Sequence, residues 1–232
     1  MSGLRYRLLA NGDSGLSIIF DAPVSETLSR QIMALKQICQ RRFEGQLLDS
    51  IPAYQSLTLH YRPECIDYQS LSDSLRQLLE SGWLPDNRAA QRVVIPVCYE
   101  QEFAPDLKSL ASQCGLSCEQ VIELHSQGQY RVHMLGFLPG FLYLGGLDTA
   151  LYCARKATPS LQVPAGSVAI GGGQTGIYPQ SSPGGWHVIG RTPLRMFNPS
   201  RQEPCIAQPL DIIEFTCISA EQFATMSQQH EY

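Results

Sequence analysis

Residues 134–193 constrain this chain more than any other stretch. They hold twelve of its 19 glycines, together with prolines at 139, 159, 164, 179, 183 and 193. Glycine and proline are poor helix formers, so such a segment folds as short strands joined by tight turns, or stays disordered. Phe137, Phe141, Tyr143, Ile170, Ile177, Tyr178 and Trp186 are interleaved with the glycines and supply core material, which favours order. Glycine in such company marks positive φ, a bulge, or a backbone that something approaches closely. The expectation is a groove lined by the backbone of Gly136, Gly140, Gly171, Gly172, Gly173 and Gly176.

The rest of the chain divides around this stretch. Residues 5–10 and 17–20 read as two strands about a turn near Asn11–Gly15. A helix follows, capped by Ser25, in which Leu28, Ile32, Leu35 and Cys39 share one face by their spacing. Two strands, 46–50 and 57–61, lead to a second helix over 67–80, with Leu71, Leu75, Leu78 and Leu79 inward and Gly82 as its stop. The order β-β-α-β-β-α predicts helices layered on a small antiparallel sheet. Pro, Asp and Asn cluster at 84–92, so a domain 1–84, a linker 85–92 and a domain 93–232 are expected. After 93 come a strand, a helix over 105–113, and a second helix opened by Ser117 with Gln120 three residues on, a capping box. Seven short strands then follow, at 130–135, 141–144, 167–170, 177–178, 187–189, 195–197 and 211–215. Strands that short, separated by Gly/Pro turns, predict a barrel or sandwich, giving an α+β fold overall.

Composition excludes several functions. A net charge of −4 offers nothing to attract nucleic acid or an anionic membrane. There is no apolar run of about 18 residues and no apolar secretory leader, so a cytoplasmic protein is expected. The eight cysteines form no C-x-x-C pair, which fits free thiols in a reducing compartment and no metal. Residues 107–125 imitate a helix-turn-helix, but the second helix offers Glu119 and Glu123 and no Lys or Arg, so a structural corner is expected. The run Gly171 to Gly176 lacks the lysine and following helix of a phosphate loop, although its N–H groups could form an anion nest. His133 and His187 have no Asp partner in sequence, so the catalytic residues are unknown. Arg155, Lys156 and Arg191 bracket the glycine-rich stretch, where cations can meet a carboxylate or phosphoryl group.

Three motifs carry a resemblance: GFLPGFLYLGGL at 136–147, VPAGSVAIGGGQTGIYP at 163–179, and SPGGWHVIGRTP at 182–193. With CGLS and ELHS upstream, the chain resembles the allophanate hydrolase subunit 1 (KipI) family along nearly its whole length. That family includes a histidine-kinase inhibitor of sporulation and the B subunit of prokaryotic 5-oxoprolinase, the branch these motifs look most like. The resemblance implies a small N-terminal α/β domain followed by a cyclophilin-like β-barrel, a likeness of fold that carries no isomerase activity. It further implies hydrolysis of 5-oxo-L-proline to L-glutamate at the cost of ATP with Mg2+, by a complex with subunits A and C, the chain being inactive alone. Arg155, Gln174, Thr175, Tyr178 and Arg191 are the substrate-binding candidates, without nucleic acid or membrane. The alternatives are a kinase inhibitor and a urea carboxylase-related subunit. Ser160 stands where the family often has a second arginine.

Overall fold

The computed structural model describes residues 4–84 and 88–229, so residues 85–87 of the expected linker lie outside the described residues. The chain forms two compact units that divide between Ala89 and Ala90.

The first unit is a four-stranded antiparallel sheet, β1 (Tyr6–Ala10), β2 (Gly15–Phe20), β3 (Leu47–Pro52) and β4 (Ser56–Tyr61), in the order β1-β2-β4-β3. Two helices cover one face, α1 (Glu26–Arg42) and α2 (Tyr68–Ser81). The Ser25 hydroxyl accepts from Leu28 N–H, and the Asp67 carboxylate accepts from Ser70 N–H, so each helix starts on a side-chain cap. Gly82 ends α2 at φ +77°, a region other residues avoid. Period-two alternation sends Leu16, Ile18, Phe20, Leu57, Leu59 and Tyr61 inward against Leu28, Ile32, Leu35, Cys39, Leu71 and Leu75. Each such burial contributes about 1.5–3 kcal/mol, and Leu35→Ala would cost about 2–5 kcal/mol.

The second unit is a seven-stranded barrel-like sheet. Its strands are β5 (Arg92–Val97), β6 (Gln129–Leu135), β7 (Leu142–Gly145), β9 (Ser167–Gly171), β10 (Gln174–Ile177), β12 (His187–Arg191) and β13 (Ile212–Cys217). They run in the order β12-β9-β10-β7-β6-β13-β5, all antiparallel except β13 beside β5. Cys98, just past β5, exchanges two backbone hydrogen bonds of 2.8 and 2.9 Å with Arg191 at the end of β12, joining the two edges. The expected α+β fold with a C-terminal barrel is therefore the observed one. Gly190 is required at this seam, because a methyl there would lie 2.6 Å from Val97 and 3.0 Å from the Cys98 carbonyl.

Two helices, α3 (Leu107–Cys114) and α4 (Cys118–Gln127), pack on β12 and β13. The Ser117–Gln120 capping box forms in both directions, and Gly115 ends α3 in the left-handed conformation. Leu107, Leu110, Ala111 and Val121 join the barrel core, which makes the helix-turn-helix look-alike a packed corner. Four elements differ from expectation. A ribbon of β8 (Ser160–Val163) with β11 (Ser182–Gly184) and a final helix α5 (Ala220–Gln229) are additions. The strand expected at 195–197 is reduced to a single bridge from Phe197 to Cys205.

Candidate functional site

Strand parity builds the candidate site on the outer surface of the barrel. Along β7, β9, β10 and β12, Leu142, Leu144, Val168, Ile170, Ile177 and Ile189 point into the core. Their alternates point outward, where Phe141, Ala169, Tyr178, Trp186 and Val188 form a second cluster with Leu138 and Tyr143 packed against it. Trp186 lies at its centre, tilted edge-on to Phe141 at 5.6 Å and to Tyr143 at 6.0 Å. The indole lies flat on the sheet because two strand positions carry no side chain. A methyl on Gly171 would fall 2.6 Å from the indole, and one on Gly176 would fall 2.9 Å from it and 2.7 Å from the Leu142 carbonyl.

The guanidinium of Arg155 sits over this ring, 5.8 Å from its centroid, with its side chain open to solvent. Burial raises the pKa of Tyr143 and Tyr178, and the positive charge of Arg155 opposes the rise at both phenols. Beside them Phe137, 60% exposed, is held at φ +66° and meets Phe141 and Tyr178 edge-on at 5.6 and 6.3 Å. The arrangement is an aromatic floor with a cation above it and two protonated phenols at its side. Trp186 is 5% and Tyr178 2% exposed, so what stands open to a ligand here is the Arg155 guanidinium and the Phe137 ring.

The segment that carries Arg155 is pinned on both sides. Cys153 exchanges two backbone bonds with Gly172, and Lys156 N–H donates to the Gly185 carbonyl at 2.8 Å. His187 Nε2–H donates to the Ala154 carbonyl at 2.9 Å, which fixes that tautomer and leaves Nδ1 as a buried acceptor without a partner among the described residues. Asp106 completes the frame: its Oδ2 accepts from Lys156 Nζ at 2.7 Å and from Val188 N–H at 2.8 Å. Ser160, at the family's second arginine position, bonds the same ammonium at 2.9 Å. Sequence reasoning missed Asp106, which lies 50 residues from its lysine partner.

The sequence candidates do not form one groove. Arg155 and Tyr178 lie at the same aromatic cluster, with Gly171 and Gly176 beneath the indole rather than open to a ligand. Thr175 is fully buried on the opposite, inner face. There it accepts from His125 Nε2–H at 2.9 Å and donates to the Ala169 carbonyl at 3.2 Å. That direction leaves His125 Nδ1 to accept from the Tyr99 hydroxyl at 2.8 Å, so a neutral imidazole satisfies both bonds. Burial lowers the pKa of His125 to about 3. Gln174 begins β10 after the two-residue turn of Gly172 and Gly173. The Gly172 N–H already donates to the Cys153 carbonyl at 2.7 Å, and the Tyr152 ring covers Gly173, so the anion nest does not stand open. Gly136 and Gly140 shape the 136–141 turn, where a methyl on Gly140 would meet Phe197 at 2.7 Å. Arg191 faces instead a cleft lined by Ala165, Gly166 and Phe223.

The chain matches the family model for the carboxyltransferase domain, subdomain C and D, over residues 6–207. It is 37% identical over 231 residues to the 5-oxoprolinase B subunit of Bacillus subtilis (strain 168), covering 95% of this chain and 96% of that one. Among solved structures it is similar to TTHA0988, with 39% identity and a TM-score of 0.76 over 89% of this chain. It spans 40% of that longer protein. The urea amidolyase of K. lactis matches 98% of this chain with a TM-score of 0.81 at 17% identity, a likeness of fold alone that uses 16% of that chain.

Proposed function

This chain belongs to the family of carboxyltransferase domains, subdomains C and D, and we propose that it serves as the B subunit of a 5-oxoprolinase. The observation that carries the reading is the match, end to end at 37% identity, with a protein of that name in Bacillus subtilis. The reaction would open the lactam of 5-oxo-L-proline to L-glutamate, in a complex with subunits A and C.

The outer aromatic site supports this reading from the chemistry side. 5-Oxoproline is a flat five-membered lactam with one carboxylate. Arg155 would take that carboxylate by paired hydrogen bonds while the ring rests at the half-buried edge of the cluster, beside Tyr143. Fixing the carboxylate fixes where the lactam carbonyl lies, which is what a subunit completing a shared active site has to supply. The pinned backbone on either side of Arg155 limits the motion it must lose on binding.

The glycine run does not offer Mg2+–ATP a phosphate loop. The turn of the glycine run is covered by Tyr152 and has its Gly172 N–H taken, and a strand follows it rather than a helix. We therefore assign nucleotide use to the partner subunits. The test is reconstitution: subunits A and C with this chain should release glutamate from 5-oxo-L-proline and hydrolyse ATP, and no subunit should do so alone. Turnover that is equal when this chain is left out would overturn the proposal.

A further inference from the structure

We propose that the cleft between the end of β12 and α5 is a second binding site, a receptor for a single small carboxylate gripped by Arg191. The cleft has a volume of about 170 Å³ and is lined by Gly166, Thr192, Leu194, Phe223 and Ser227 around the guanidinium. Arg191 Nε–H donates to the Ala165 carbonyl at 2.7 Å, and its Cζ lies 5.9 Å from the centroid of the Phe223 ring. Those two contacts fix the plane of the guanidinium. Its two terminal nitrogens donate to no protein group, and no Asp or Glu pairs with it, among the described residues.

Arg191 is half-buried without a counter-ion among the described residues, and that burial disfavours its charge, lowering its pKa. The unused pair of N–H groups has the end-on geometry that a carboxylate fills with two parallel bonds. One cation neutralises one charge, so a carboxylate fits where a phosphate dianion would keep an uncompensated charge. Leu194, Pro193 and Phe223 suit a compact carbon skeleton behind it. Phe223 and Ser227 lie beyond the residues matched by the family model, and the site is independent of Arg155 and of the proposed reaction.

The test is an NMR titration of the 15N-labelled full chain with sodium isobutyrate, and with inorganic phosphate in a parallel series. Isobutyrate should shift the amides of Gly166, Thr192 and Ser227 saturably, and phosphate should bind more weakly. Arg191→Gln should weaken isobutyrate binding by roughly tenfold or more. Ser227→Phe, which fills the cleft from the helix side and leaves the guanidinium in place, should abolish it. If Arg191→Gln does not fold, for want of the Ala165 bond, Ser227→Phe decides alone. The proposal fails if wild type shows no saturable shifts at those amides, if phosphate binds more tightly, or if Ser227→Phe binds as wild type does.

Discussion

His125 should make the barrel unit acid-sensitive, and the size of the effect follows from its surroundings. The ring is fully buried, stacked on Phe215 at 4.6 Å and packed near Tyr130. Its Nε2–H donates to Thr175, and its Nδ1 accepts from Tyr99. A second proton would have to displace the Tyr99 bond and bring a charge into a site where, among the described residues, no carboxylate contacts the ring. Burial accordingly lowers the pKa from its ordinary value of 6.5 to about 3. Below pH 6.5 the unfolded chain binds a proton that the folded chain refuses, so stability is complete above that value. It falls by about 1.4 kcal/mol per pH unit as the pH drops toward 3. Between about pH 7.5 and about pH 5 this single residue should cost about 2 kcal/mol. The assay is urea unfolding followed by Trp186 fluorescence in a Trp83→Phe background, so that the signal comes from the barrel unit. His125→Gln removes the titration. The variant will be less stable at neutral pH, but its stability should fall less on acidification, by about 2 kcal/mol over that interval. Parallel pH dependences for the two proteins would refute the reasoning.

Two further perturbations test the frame of the outer site. Gly171→Ala places a methyl 2.6 Å from the Trp186 ring and should destabilise the barrel by about 1–3 kcal/mol with a changed tryptophan emission, read in the same urea titration. Asp106→Ala removes the acceptor shared by Lys156 and Val188 and should cost about 1.5–3 kcal/mol in that titration, while Asp106→Asn, which keeps an oxygen for Val188 N–H, should cost less.

Local patterns made most of the fold legible. The four-residue rhythm of Leu28, Ile32, Leu35 and Cys39 and the Ser117–Gln120 box lie within single helices, where near neighbours decide the structure. The helix α5 escaped although Phe223 and Met226 stand three residues apart, because none of its described residues is fully buried and no long apolar stripe marks it. The strand β8 escaped because it is four residues long and only Val163 at its end is buried, while Leu161 is 91% exposed. Closure of the barrel rests on Cys98 meeting Arg191, a pairing across 93 residues that no local signal announces. The site was half legible. The glycines marked a close approach, but the approaching group is Trp186 of the same chain, which becomes visible only once β9, β10 and β12 are known to be neighbours. Thr175 and Gln174 are adjacent in sequence and so fall on opposite faces of β10. Parity alone would have separated them.

The central claim is that the cation seated over Trp186 is where this chain meets the substrate of the assembled enzyme. The measurement is kcat/KM for 5-oxo-L-proline in the reconstituted complex, wild type against Arg155→Ala, with a thermal melt of each isolated chain. Loss of a charged pair of hydrogen bonds predicts roughly a 10- to 150-fold decrease. Arg155 is exposed, so the melt should change little, within about 0.5 kcal/mol. Unchanged kcat/KM in a complex that still assembles would contradict the account.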